Sequence, residues 1–171
     1  MTEQDGGPLS SSELDEFLSA PRLLKLACLR PDGWPYVIPL WYAWHERKLY
    51  VVGRERAAWI EFIRANERVG VLIDEEERRH RRVQMTAVAR VVEGPTLREG
   101  RSERWREIGR SLTTRYMADD FGQAYAQLTA GRPRVLVEIE PRQVTTWRGG
   151  PWHRRYYADP TAAPPPTASP S

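Results

Sequence analysis

The sequence predicts a mainly β protein, a small antiparallel barrel with helices at its periphery. Three observations carry this. Short apolar runs of strand length recur between residues 23 and 92 and again after residue 134, set off by turn residues. Three or four stretches between them switch to the helical period. The chain has 171 residues, 40% hydrophobic and 29% charged, which suits one domain with a real core.

The elements follow in order. Residues 1–8 are polar and glycine-containing and are expected to be disordered; the domain itself is expected over residues 9–157. Ser10-x-x-Glu13 is a capping box with Leu9 as its staple, and Leu14, Phe17 and Leu18 share one helical face until Pro21. Leu23–Leu29 reads as a strand, Pro31-Asp-Gly33 as a turn and Tyr36–Tyr42 as the return strand of a hairpin. His45–Lys48 is a second turn, and Leu49–Val52 a third strand ended by Gly53. From Arg54 to Arg64 the period changes, with Trp59, Phe62 and Ile63 on one helical face. Val69–Ile73 is a strand. Asp74–Arg82 holds eight charged residues and one histidine, its sign flipping after Glu77, and reads as an exposed tip. Val83–Val92 is a long β-branched strand broken by Gly94-Pro95. Thr96-x-x-Glu99 is a second capping box, followed by a helix marked by Trp105, Ile108, Leu112 and Tyr116. A short helix after Asp119-Asp120 turns Phe121, Tyr125 and Leu128 inward and ends at Gly131-Arg-Pro133. Arg134–Glu140 alternates as a further strand, which Val144–Trp147 extends. Residues 158–171 are Pro, Ala, Thr and Ser, an expected disordered tail.

Composition excludes several classes. No apolar run approaches the roughly 18 residues of a membrane span, and the first 20 residues lack the basic start and apolar stretch of a secretory signal. Cys28, the only cysteine, sits among Leu26, Ala27 and Leu29 and reads as a buried structural thiol. A cytoplasmic protein that engages neither membrane nor nucleic acid is expected. The net charge is +3, and only Lys25 and Lys48 are lysines, so the positive charge is almost all arginine, whose rigid fork suits phosphate and carboxylate. There is no glycine-rich phosphate loop and no Gly-x-Ser-x-Gly elbow. His45, His80 and His153 lack zinc-ligand spacing, so no metal is expected. The acidic run 74–77 lacks apolar neighbours to raise a pKa and reads as a solvated face.

The segment Pro141–Arg155 places Trp147 and Trp152 beside His153 and several arginines around a Gly-Gly turn. One reading is a strand that seals the core with its indoles. The other is an apolar plane next to fixed positive charge, which suits a flat anionic cofactor such as a flavin phosphate.

Taken together, Asp32-Gly33-x-Pro35, Pro39-Leu40-Trp41-Tyr42, Leu49-Tyr50, Asn66-x-Arg68-Val69, Ala89 and Trp147-x-Gly149 stand in an order and spacing that resemble the pyridoxamine 5'-phosphate oxidase-like superfamily of flavin-binding split barrels. The chain is also similar to the deazaflavin-dependent reductases of that fold. The resemblance covers residues 9–157 and implies a six- to seven-stranded antiparallel split β-barrel of the α+β class. It further implies a homodimer with the cofactor, FMN or the deazaflavin coenzyme, at the subunit interface, and hydride transfer to a small-molecule substrate. By the same resemblance Val37, Ile38, Pro39, Leu40, Trp41 and Tyr42 lie along the ring. Val52, Gly53 and the start of the next helix hold the phosphate, Arg82 approaches the ring or ribityl chain, and Trp147 with Arg154 or Arg155 completes the site. Tyr42 and His153 are the candidate proton donors.

The departures are as informative. Where the oxidase has a Ser-Arg-Lys phosphate clamp, this chain has Ala57-Ala58-Trp59, so Arg54 and Arg56 with the helix N-terminus are left to supply the charge. Trp59 is either a core residue or an indole beside the cofactor. The arginine–histidine pair that reads pyridoxamine phosphate is not reproduced, so that activity is not expected. Two other readings remain open: a non-catalytic barrel without its redox cofactor, and a heme-binding relative with His153 as ligand.

Overall fold

The computed structural model describes residues 8–75, 80–117 and 120–149. The first half of the chain forms α1 (Ser11–Ser19), β1 (Leu24–Leu29), β2 (Pro35–Leu40), β3 (Ala43–His45), β4 (Lys48–Arg54) and α2 (Ala58–Ala65). The second forms β5 (Arg68–Asp74), β6 (Arg82–Thr96), a 3-10 turn (Arg98–Gly100), α3 (Glu103–Tyr116), α4 (Asp120–Leu128) and β7 (Arg134–Trp147). The strands make one antiparallel sheet in the order β2-β1-β5-β6-β7-β4-β3. Its two edge strands, β2 and β3, are separated in the chain only by Trp41 and Tyr42. The sheet therefore curls until its edges approach, which is the open, split barrel that the resemblance implied.

Locally encoded elements form as expected. Ser10 Oγ accepts from Glu13 N at 3.3 Å while Glu13 Oε2 accepts from Ser10 N at 2.8 Å, so both halves of the first capping box are present. Phe17 and Leu18 are buried on the inner face of α1. The 31–33 turn closes the β1–β2 hairpin, with Arg30 N donating to Trp34 O at 2.9 Å. β2 is an edge strand, where Pro39, which has no N–H, fits without loss of a ladder bond, and Pro35 is its first residue.

Four expectations are corrected. The return strand does not run to Tyr42. Tyr42 O accepts from Arg115 Nη1 at 3.0 Å and from Tyr116 Oη at 3.4 Å, so the backbone there is bonded to α3 and the strand is cut into β2 and β3. Gly94-Pro95 does not end β6, which continues to Thr96 through register shifts against β7. The Thr96-x-x-Glu99 box does not form. Residues 98–100 are a 3-10 turn, and α3 is capped by Ser102, whose Oγ accepts from Trp105 N at 3.1 Å and donates to Glu93 Oε1 at 2.6 Å. In α4 Tyr125 is half-buried, but Leu128 is 78% exposed instead of inward. The Phe121 side chain and the two expected tails, apart from Pro8, lie outside the described residues.

Two apolar clusters hold the fold. The larger fills the inside of the curl with Leu24, Leu26, Leu49, Val51, Ile73, Met85, Val137 and Ile139, closed by α1 and by Trp59, Ile60 and Ile63 of α2. The smaller lies outside the sheet, where Trp105, Ile108 and Leu112 of α3 cover Ala43, Tyr50 and Leu136. No counterpart of α3 among the described residues covers the outer face of β2-β1-β5-β6. Trp34 is 69% exposed and Val37 62%, with Leu29 beside them.

Candidate functional site

The period of two along β2 decides which predicted residues can touch a ligand. Ile38 and Leu40 face inward and pack on the core, and Tyr42 is fully buried. Val37, Pro39 and Trp41 face outward, forming a stripe of about 13 Å along an extended strand. Tyr42 has no acceptor for its hydroxyl among the described residues, and burial pushes that phenol above its ordinary value. Its position in the core denies it the role of proton donor to a surface ligand. His153, the other candidate donor, lies outside the described residues, as does Arg155.

Trp41 ends the stripe and is fixed by aromatic contacts. Its ring stacks on Tyr116 at 5.3 Å with the planes 4° apart, and meets Tyr125 edge-on at 6.4 Å. The Tyr125 hydroxyl is hydrogen-bonded to Arg134 and Arg54. Burial pushes this phenol up, but the bonds from Arg134 and Arg54 outweigh it, and the net value falls below the ordinary one. Arg54 and Arg134 are register partners in the β4–β7 ladder, two like charges side by side. Neither forms an ion pair with a carboxylate among the described residues; the same holds for Arg56. Val52, the outward residue before Gly53, packs against the smaller apolar cluster, as Tyr116 does. The predicted residues Trp41, Val52 and Arg54 thus meet in one place, and Tyr116, Tyr125 and Arg134 join them.

The start of α2 supports the same end of the site. Its N-cap is Ala57, with no side-chain cap, so first-turn N–H groups are left without a side-chain acceptor. Trp59 is 3% exposed and belongs to the core. It lies against Gly53, where an added Cβ would come within 2.7 Å of the indole. Gly53 therefore serves this close approach, and Trp59 shapes the site from beneath instead of lining it. Arg82 and Trp147 are brought together as well: they are register partners, with the guanidinium 4.7 Å above the indole. They lie on the same outer face as Val37 and Pro39 but three and four strands away, so the fold of a single chain does not bring them to the β2 stripe.

The model of the pyridoxamine 5'-phosphate oxidase family matches residues 10–148. The chain belongs to this family. Among solved structures, an FAD-binding protein from Mesorhizobium loti is 28% identical, with 84% of this chain and 96% of that chain covered and a TM-score of 0.60. The heme storage protein HutZ from Vibrio cholerae is 21% identical over 82% of this chain and 96% of its own, with a TM-score of 0.64. An F420 reductase is 20% identical over 76% of this chain and 94% of its own, with a TM-score of 0.54. The last two likenesses show the fold alone. No curated protein matches the chain by sequence. Within this family, the oxidase's Ser-Arg-Lys clamp is replaced here by an uncapped helix start flanked by Arg54 and Arg56. Sequence reasoning missed Arg134, because only the pairing of β4 with β7, 80 residues apart, carries it to Arg54, and missed Tyr125, which reaches the two arginines from α4 through its hydroxyl. Among the described residues no group of three His, Cys, Asp or Glu side chains is arranged to hold a metal, and no helix is long and apolar enough to cross a membrane.

Proposed function

We propose that this protein binds a flavin or deazaflavin cofactor at the β2 edge and acts as an oxidoreductase on a small molecule. The observation that carries this is the outward stripe Val37, Pro39, Trp41, which ends beside Arg54 and Arg134, two cations with no carboxylate partner among the described residues. A planar apolar ring with an anionic side chain matches that order of surfaces. Val37 and Pro39 would wall the ring, Trp41 would present the indole face fixed by Tyr116, and Arg54, Arg56 and Arg134 would neutralise the anionic group at the open start of α2. The bound cofactor supplies hydride transfer; the protein binds, orients and shields it. The FAD-binding relative at 28% identity supports the reading.

The uncovered outer face supports a homodimer. Trp34, Val37 and Leu29 expose large apolar area around the small Ala27 and Gly70, a surface that a second copy would cover. Such a dimer also accounts for the separation of the two predicted groups: the stripe and arginines of one protomer would meet Arg82 and Trp147 of the other. Separate fluorescence titrations with FMN and with the deazaflavin coenzyme test the proposal. Micromolar or tighter binding of one supports it and selects the cofactor. Failure of both, with a strong visible band on adding heme, would replace it by the heme-binding reading.

A further inference from the structure

A cavity apart from the β2 stripe opens at one end of the curl, between the β1–β2 hairpin and α2. It has a volume of about 430 Å³ and is lined by Arg30, Pro31, Asp32, Tyr36 and Phe62. Tyr36 is the register partner of buried Cys28, so its ring lies on the inner face of β2, opposite to Val37. Phe62 meets that ring edge-on at 5.4 Å. Both rings are half-buried and pack on the larger apolar cluster while still lining the cavity.

The walls narrow the occupant. Two aromatic rings and a proline supply the apolar surface. The two charges at the rim satisfy each other, Arg30 Nη2 lying 2.9 Å from Asp32 Oδ2, so no net charge selects an ion. The Tyr36 hydroxyl makes no hydrogen bond among the described residues and can donate into the cavity. An uncharged segment with apolar rings and free carbonyl oxygens fits these walls. A proline run has that chemistry: its φ is fixed, it has no N–H, and no internal hydrogen bond uses its carbonyls. Aromatic-lined grooves recognise such segments in this way.

The chain carries one beyond the described residues. Pro160–Pro170 contains five prolines, three of them consecutive at Pro164–Pro166, and no charged side chain. It is within reach. β7 ends at Trp147, which pairs with Arg82; Arg82 pairs with Asp74, and Ile73 beside it pairs with Leu24. From Trp147 to the cavity is three strand spacings, roughly 14 Å, and the length of β1, roughly 20 Å. The 15 residues from Gly149 to Pro164 span roughly 45 Å in the polyproline II conformation.

We propose that Pro164–Pro166 of the same chain dock on Tyr36 and Phe62 and close this end of the barrel, with the Tyr36 hydroxyl and Arg30 donating to their carbonyl oxygens. Docking there does not depend on the cofactor reading. The cavity lies on the face of β2 opposite to the stripe, and neither Trp34 nor Val37 of the dimer surface lines it.

The test compares amide NMR spectra of the full chain with those of a chain shortened to Tyr157, then titrates the shortened chain with a synthetic peptide of residues 158–171. Signals of Arg30, Asp32, Tyr36 and Phe62 should move on shortening and return as peptide is added. A short tether holds its end at roughly millimolar local concentration. For a peptide Kd of about 100 μM the cavity is then about 90% filled in the full chain, which should bind added peptide about tenfold more weakly than the shortened chain does. Pro164→Ala, Pro165→Ala and Pro166→Ala combined should give the spectrum of the shortened chain, and they alter no residue of the barrel. Tyr36→Phe, which keeps the ring, should weaken the peptide about three- to tenfold. Failure of the peptide to bind, equal affinities for the two chains, or shifts confined to Trp34 and Val37 would overturn the proposal. So would recovery of the cavity signals when labelled shortened chain is mixed with unlabelled full chain, because the segment would then belong to another copy.

Discussion

Trp59 illustrates how far a single residue can be read from sequence. Its helical face was legible; its partner was not. The structure places it against Gly53 in the core, so Trp59→Ala should cost about 3–5 kcal/mol of unfolding free energy, measured by urea denaturation. A variant of unchanged stability with weakened cofactor binding would instead put the indole in the site. Glu75 is a second case. The charged run around it reads as a solvated tip, yet its side chain is 4% exposed and held by Arg22 and Arg81, each at 2.8 Å. Burial raises its carboxyl, and the hydrogen bonds from Arg81 and Arg22 more than reverse this, so its net value lies below 4.5. A depressed folded value means that stability is present above the unfolded pKa and is lost as pH falls through the folded one. Glu75→Gln should therefore destabilise by roughly 2–3 kcal/mol near pH 7, and the difference should shrink as unfolding is measured towards about pH 3. A gap that stays constant over that range would contradict the ion-pair account.

Elements set by near neighbours were legible, and those set by distant partners were not. Ser10 and Glu13 cap each other within one turn, so sequence found α1. Thr96 and Glu99 carry the same pattern, but Ser102 competes, because Glu93 in the adjoining strand holds it at 2.6 Å. β2 has the alternation that sequence showed, while its end is fixed by Arg115 and Tyr116 on a helix more than 70 residues later. In the proposed function, the outward residues of β2 are the ones that meet the cofactor. Trp41→Ala should weaken cofactor binding about tenfold with only a small change in stability, since its contact with Tyr116 is one stacked pair worth roughly 0.5–1.5 kcal/mol. Equal affinities for the variant and the parent would remove Trp41 from the site.

For the molecule as a whole, the curled sheet divides the predicted site residues into an inward set, an outward set beside Trp41, and the distant pair Arg82–Trp147. Sequence could name these residues through the family resemblance, but a period of two does not say which strands are neighbours, and the order β2-β1-β5-β6-β7-β4-β3 decides which of them meet. The separation of the pair from the stripe makes a second copy part of the account. Sedimentation velocity should show a dimer for the parent chain, and Val37→Asp combined with Leu29→Asp should yield a folded monomer. A parent that sediments as a monomer at micromolar concentration would contradict the dimer.

The central claim is that a planar cofactor lies along the outward face of β2. A crystal structure of the protein with the tighter-binding of FMN and the deazaflavin coenzyme tests it most directly. The account predicts the ring against Val37, Pro39 and Trp41 and the anionic group within hydrogen-bond reach of Arg54 and Arg134. A ring bound elsewhere on the barrel, with this stripe left to solvent, would contradict it.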